Sequence, residues 1–181
     1  MEYRRIVEVK NIDLEKLATT DKLTGAYDRI KFAEIIEKEI ERVRRYRRPF
    51  SMIMFDIDHF KEVNDNYGHN VGDYVLSTIA DFVREKIRIL DYFVRWGGDE
   101  FIIIVSDNKC DQAYPLAEKI RKIVEDYRFD QVGKVAISLG VVEALESDTE
   151  NSLLKRVDDA MYKAKREGGN RSEAIKNVSI N

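Results

Sequence analysis

Residues Phe50–Asp56 read FSMIMFD, a short and almost unbroken apolar run closed by an acid. It is far too short to cross a membrane and does not alternate, so it reads as a strand buried on both faces. The rest of the chain supplies what such a strand needs around it. Phe32, Ile35, Ile36, Ile40 and Val43 recur at helical spacing, and Pro49 follows the basic stretch Arg44–Arg48 as a stop. Val75, Leu76, Ile79, Phe82, Val83 and Ile87 mark a second helix; Leu116, Ala117, Ile120 and Val124 mark a third. Tyr92–Trp96 and Glu100–Ser106 flank Gly97–Gly98 as a hairpin, and Val135, Ile137, Leu139 and Val141 alternate as a further strand. Leu153, Leu154, Val157, Ala160, Met161 and Ala164 close the pattern with a helix. The order β-α-β-β-α-β, with helices before and after, predicts an α/β (α+β) domain of the split-βαβ or ferredoxin-like kind. Its antiparallel-rich sheet would carry helices on one or both faces.

Composition narrows the function classes. A hydrophobic fraction of 44% over 181 residues can build one core. Lys and Arg number 31 against 34 Asp and Glu, a net charge of -3 that argues against binding a nucleic-acid polymer. One cysteine, Cys110, permits no internal disulfide, and with two histidines leaves few ligands for zinc. No apolar run spans a membrane and no secretory leader opens the chain, so a cytoplasmic protein is expected. Tyr3, Val7, Lys10, Leu14 and Leu17 line one seam. The expected division is therefore an N-terminal helical stalk or linker over 1–20, a domain over 21–175 and a tail over 176–181. An upstream sensory domain would join through the stalk.

The acids carry the chemical signal. Asp56 and Asp58 end the first strand, while Asp99 and Glu100 follow the two glycines of the hairpin. If those strands are neighbours, three or four carboxylates converge, and a divalent cation relieves their repulsion. Hard oxygen ligands favour Mg²⁺ over zinc. The competing reading has Asp58 capping the next turn and Asp99 merely at a hairpin tip. Gly97 and Gly98 would let a bulky ligand approach the backbone. Lys61, Lys165 and Arg166 could neutralise phosphate oxygens. Asn64 and Asp73 could read a base edge, although helix N-capping competes for Asp73.

In sequence order these residues form larger motifs. FDIDHFKEVND, YGHNVGD and RWGGDEF, introduced by DKLTGAYDR and closed by DAMYKAKREGGN, closely resemble the GGDEF family of diguanylate cyclases. The likeness runs from about Asp21 to Arg171. It implies a palm-like sheet of about five strands flanked by helices, and condensation of two GTP into cyclic di-GMP and two pyrophosphates. It further implies two Mg²⁺ (or Mn²⁺) ions per half-site, held by Asp56, the Ile57 carbonyl and Asp99, with Glu100 in support. Asp99 would be the general base and Lys61 would oppose charge developing in the transition state. Phe60, Lys61 and Lys165 would surround the phosphates, Asn64 and Asp73 would read guanine, and His69 would lie near the same nucleotide. Each domain holds one GTP, so a homodimer is implied. Arg88 and Asp91 (RILD), with five residues separating Asp91 from Gly97, match the family's product-inhibition motif, and Lys119 is a further basic candidate there. A catalytically silent cyclic di-GMP receptor is the alternative, and another metal-dependent nucleotidyl transfer the third. The sequence departs from the family at Asp28, where Asn is usual, and at Gly169, where a phosphate-holding Arg is usual. Arg166 and Arg171 are the neighbours that could replace that Arg.

Overall fold

The computed structural model describes residues 19–175. The expected stalk lies outside them except for its last two residues, and the 176–181 tail lies outside them entirely. Helix α1 (Arg29–Tyr46) begins at Asp28, whose carboxylate accepts the Lys31 amide at 2.9 Å. Asp caps as well as Asn, so the departure at Asp28 leaves the helix start intact. Strand β1 (Phe50–Ile57) is buried at all eight positions. It is followed by α2 (Phe60–Tyr67), α3 (His69–Lys86), the hairpin β2 (Tyr92–Gly97) and β3 (Glu100–Ser106), α4 (Cys110–Asp126), β4 (Ile137–Glu143), α5 (Glu150–Arg166) and β5 (Ser172–Ile175).

The sheet order is β2-β3-β1-β4-β5; β1 lies antiparallel to both β3 and β4, and only β5 runs parallel to its neighbour. Helices cover both faces. Phe55, Ile57, Phe101 and Ile103 pack with Val75, Ile79 and Val83 of α3 and Ala117, Ile120 and Val124 of α4. Met52, Met54, Ile102 and Ile104 pack with Phe32, Ile36 and Ile40 of α1 and Leu153, Val157 and Met161 of α5. Burying each large side chain is worth about 1.5–3 kcal/mol. A one-residue slip of β1 would exchange the two faces, so this packing fixes the register.

That register sends Asp56 to the α1/α5 side, at the end of the strand. Gly140 of β4 brings α5 there: a Cβ at this position would lie 2.3 Å from the Val157 carbonyl oxygen and 2.5 Å from the Met161 nitrogen. With no side chain between them, helix and strand touch, and one turn beyond Met161 the helix delivers Lys165 to the strand end.

Two elements escaped the sequence pattern. Helix α2 is eight residues long and buries only Phe60 and Val63, too few to set up a period. Strand β5 is a four-residue edge with no apolar run. The expected strand start at Val135 is also early; β4 begins at Ile137, and Val135 is buried in the irregular segment before it.

Candidate active site

The acidic tips of β1 and β3 meet. Asp56 is the cross-strand partner of Glu100, and the preceding pair, Phe55 and Phe101, stack their rings at 5.1 Å. Asp56 is only 7% exposed. Burial pushes its carboxyl up to about 6, with the charges of Asp99 and Glu100 adding to the rise and Lys165 opposing it. Lys165 Nζ stands 2.7 Å from Asp56 Oδ1. Burial and Asp99 likewise raise the Glu100 carboxyl, and Asp158 of α5 contributes further. Asp158 was not picked out from the sequence. It lies seven residues before Lys165 on the same helix, and that spacing is the signal that could have found it.

This is an anionic cluster with Lys165 against it and the Arg29 charge acting on Glu100, and its hard oxygen donors suit Mg²⁺. As they stand, no three Asp, Glu, His or Cys side chains among the described residues are close enough to hold a metal ion unaided. That agrees with the habit of Mg²⁺, which takes one or two carboxylates and completes its shell from phosphates and water.

Asp58 does not join the cluster. Its carboxylate accepts the Ser138 hydroxyl at 2.7 Å and the Asn170 amide at 2.8 Å, so it clamps the chain after α5 to the sheet. The competing reading of a structural Asp58 was right in kind, although the residue holds a distant loop and not the next turn. Gly169 sits in that loop at φ +71°, and a Cβ there would come within 3.0 Å of Asp58 Oδ2. The glycine therefore suits the loop as built. Neither expected substitute for the missing Arg faces the acids: Arg171 pairs with Glu167 and Glu173, and Arg166 lies 6.0 Å from the ring of Tyr162. A hollow of about 440 Å³ opens between Asp56, Asp58, His59, Lys165, Gly168 and Gly169. Lys165 is the one lysine or arginine in its lining. A larger neighbouring hollow, about 630 Å³, spends its charges internally: Lys122 pairs with Glu125 and Asp126, and Lys134 donates to their carbonyls.

Helices α2 and α3 build a second wall. A Cβ on Gly72 would lie 2.0 Å from Asn64 Oδ1 and 3.2 Å from the Phe60 ring, so the half-buried Asn64 amide lies across Gly72. Asp73 follows immediately and is exposed. It does not cap α3, which is preceded by Gly68; it is the fifth residue of the helix. His69, the first residue of α3, and Lys61 of α2 are exposed. The Phe60 ring belongs to the core, which leaves its main chain as the part able to meet phosphate.

Arg88 and Asp91 form a tight local pair. The buried Asp91 carboxylate accepts from the Arg88 amide (2.8 Å), Nε (3.1 Å) and Nη2 (2.8 Å), and from the Ser106 amide (3.2 Å). Arg88 Nη2 also donates to the Ser106 carbonyl at 2.8 Å. The Asp91 acceptors are thus occupied, while half of the Arg88 side chain remains exposed. Lys119 lines a separate groove with Phe82, Lys86, Lys122 and Tyr127, and neither Arg88 nor Asp91 lines it. Arg29 and Arg95 sit in the quoted motifs without any role drawn from sequence, yet both bond to the turn before Asp99.

The family model described as "Diguanylate cyclase, GGDEF domain" matches residues 18–171. Diguanylate cyclase DgcM of Escherichia coli (strain K12) is 36% identical over 168 residues, covering 92% of this chain and 41% of that protein. The response regulator PleD of Caulobacter vibrioides is 37% identical over 161 residues, covering 86% of this chain and 36% of PleD. The chain thus spans about two-fifths of the length of these relatives. Among solved structures, the coiled coil and GGDEF domain of DgcB from Caulobacter crescentus, in complex with c-di-GMP, aligns with a TM-score of 0.88 at 27% identity, covering 96% of this chain and 94% of that one. Diguanylate cyclase SiaD from Pseudomonas aeruginosa, in complex with its activator SiaC, aligns with a TM-score of 0.87 at 31% identity, covering 96% and 68%.

Proposed function

Because the chain belongs to the diguanylate cyclase GGDEF domain family, we propose that it condenses two GTP molecules into cyclic di-GMP, releasing two pyrophosphates. The observation that carries this reading is the buried Asp56 facing Glu100, its carboxyl raised to about 6 and countered by Lys165. A pure receptor has no use for an acid kept in so costly a place.

Asp56, the Ile57 carbonyl and Asp99 would hold the Mg²⁺ or Mn²⁺ ions, with Glu100 behind them. Bound there, the ions would supply charge neutralisation at the phosphates and a more acidic 3′-hydroxyl. Asp99 accepts the proton of that hydroxyl as the oxygen attacks the α-phosphorus of the facing GTP. A general base of this kind contributes about 10²–10⁴-fold, so positioning and charge stabilisation carry most of the acceleration. Lys165, already at Asp56, and the exposed Lys61 offset negative charge gathering on the α-phosphate and departing pyrophosphate. Asn64 and Asp73 bond the guanine edge between α2 and α3, and His69 flanks it. With Gly169 in place of the usual Arg, Lys165 and Lys61 hold the triphosphate without a guanidinium.

Two domains must face one another, since each brings one GTP, so the active form is a homodimer in the cytoplasm that an upstream sensory domain would regulate. The product restrains the enzyme through Arg88. Asp91 aims that guanidinium, and the exposed part of Arg88 meets product phosphate and guanine, with Lys119 as an outlying basic partner. Among the described residues no helix is long and apolar enough to cross a membrane.

Incubation of the purified protein with Mg²⁺ and either GTP or ATP tests the assignment. Cyclic di-GMP from GTP alone is the expected product; an ATP-derived product or none would contradict it. Inhibition by added cyclic di-GMP should vanish in Arg88→Ala while initial rates persist, and unchanged inhibition would remove Arg88 from the regulatory site.

A further inference from the structure

Two arginines left without a role in the reaction hold the Gly97–Gly98 turn from opposite sides. Arg95 donates from Nε and Nη2 to the Gly98 carbonyl at 3.0 and 2.7 Å. Its Nη1 reaches both carboxylate oxygens of Asp21 at 3.0 and 3.1 Å. Asp21 is itself fixed, accepting the Thr24 amide at 2.9 Å and its hydroxyl at 2.6 Å. On the other side, Arg29 Nε donates to the Trp96 carbonyl, and the guanidinium lies 4.4 Å from the Trp96 ring centroid. Arg29 Nη2 is 3.0 Å from where a Gly97 Cβ would stand.

The turn needs such support. The β2–β3 register shifts between Arg95 and Gly97, and Gly98 takes φ +43°, so the ladder is irregular just before Asp99. Both holding residues are tied to the segment leading into α1. Arg29 is the first residue of that helix; the Arg95 amide bonds the Tyr27 carbonyl at 2.8 Å, and the Tyr27 amide bonds the Phe93 carbonyl at 2.8 Å. An arginine fork can grip a carbonyl and a carboxylate at once, whereas a lysine offers a single point of charge.

Resting on the cyclase reading above, we infer that Arg95 and Arg29 are positioning residues for Asp99, carrying the placement of residues 19–29 to the turn that presents the acid. Arg95 acts through the Gly98 carbonyl and Arg29 through the Trp96 carbonyl, with the Arg29 charge also felt by Glu100. Removing either arginine would therefore misplace Asp99, while the bonds of neither reach the α2/α3 wall for the base.

The test compares Arg95→Ala, Arg95→Lys and Arg29→Ala, with Arg45→Ala on the exposed side of α1 as control. Amide hydrogen exchange is read over 97–100 and steady-state kinetics with GTP are run in parallel. Loss of these bonds should speed exchange at the turn about tenfold, with β1 and β4 unchanged. It should lower kcat about 10²-fold and leave KM within about twofold. Arg95→Lys should not rescue, and Arg45→Ala should match wild type. Turn amides at wild-type rates would overturn the inference, as would acceleration spread equally over β1 and β4, or a raised KM with kcat kept. If wild type makes no cyclic dinucleotide, the cyclase reading fails, whereas the exchange measurement still decides whether the turn depends on the arginines.

Discussion

A carboxylate that is 7% exposed and faces Glu100 across the sheet costs the fold stability whenever it is charged. The Asp56 pKa rises in the folded protein from its ordinary 3.8 to about 6. The folded state therefore keeps a proton that the unfolded chain has already released. Stability from this group is lost as pH climbs from about 4 to about 6, and stays lost above that range. A shift of this size corresponds to roughly 2–3 kcal/mol, a net figure in which the opposing Lys165 contact is already counted. Asp56→Asn should thus raise the Tm of the metal-free protein at pH 8 by about 5 °C. The gain should shrink towards zero as pH falls to 4; a lower Tm at pH 8 would contradict the cost assigned to this acid. Function then explains why the acid is kept, since nothing in the packing asks for it.

Between elements, the wall assigned to guanine depends on how closely α2 lies on α3. Gly72→Ala would place a methyl 2.0 Å from Asn64 Oδ1. The flexible end of Asn64 must turn away and the buried Phe60 ring, 3.2 Å from the new methyl, must shift slightly, so the fold survives with a small fall in Tm. The lost base contact should raise KM for GTP up to about tenfold, with kcat less affected; an unchanged KM would remove Asn64 from the base site. Legibility in the sequence followed the same scale. Strand β1, the hairpin and the long helices show clear periods, and two acidic pairs at strand ends announce the cluster of Asp56 and Glu100. The structural part of Asp58 was hidden, because Ser138 and Asn170 lie 80 and 112 residues away along the chain. For Asp91 the four-residue motif left a product ligand and a local ion pair with Arg88 both open; the fold shows the pair and adds the Ser106 amide, 15 residues away, which no local pattern announces. The arginine supports of the turn join residues 74 and 67 positions apart, beyond the reach of any local pattern.

For the whole molecule, one domain presents one half of the proposed site, and its partner must supply the other. The specific rate should therefore rise with protein concentration until the dimer saturates. A specific rate independent of concentration down to the nanomolar range, in a protein that sediments as a monomer, would contradict the facing-domain arrangement. The central claim is that the acids of β1 and of the glycine turn bind divalent ions together with a triphosphate. Titration of Mn²⁺, followed by its paramagnetic signal, in the presence of a non-reacting GTP analogue tests this most directly. Wild type should bind Mn²⁺ only when the nucleotide is present. Asp56→Asn should weaken that binding by more than the about 10–100-fold typical of losing an outer-shell partner. Equal Mn²⁺ binding by the two proteins, or none by wild type with nucleotide bound, would contradict the claim.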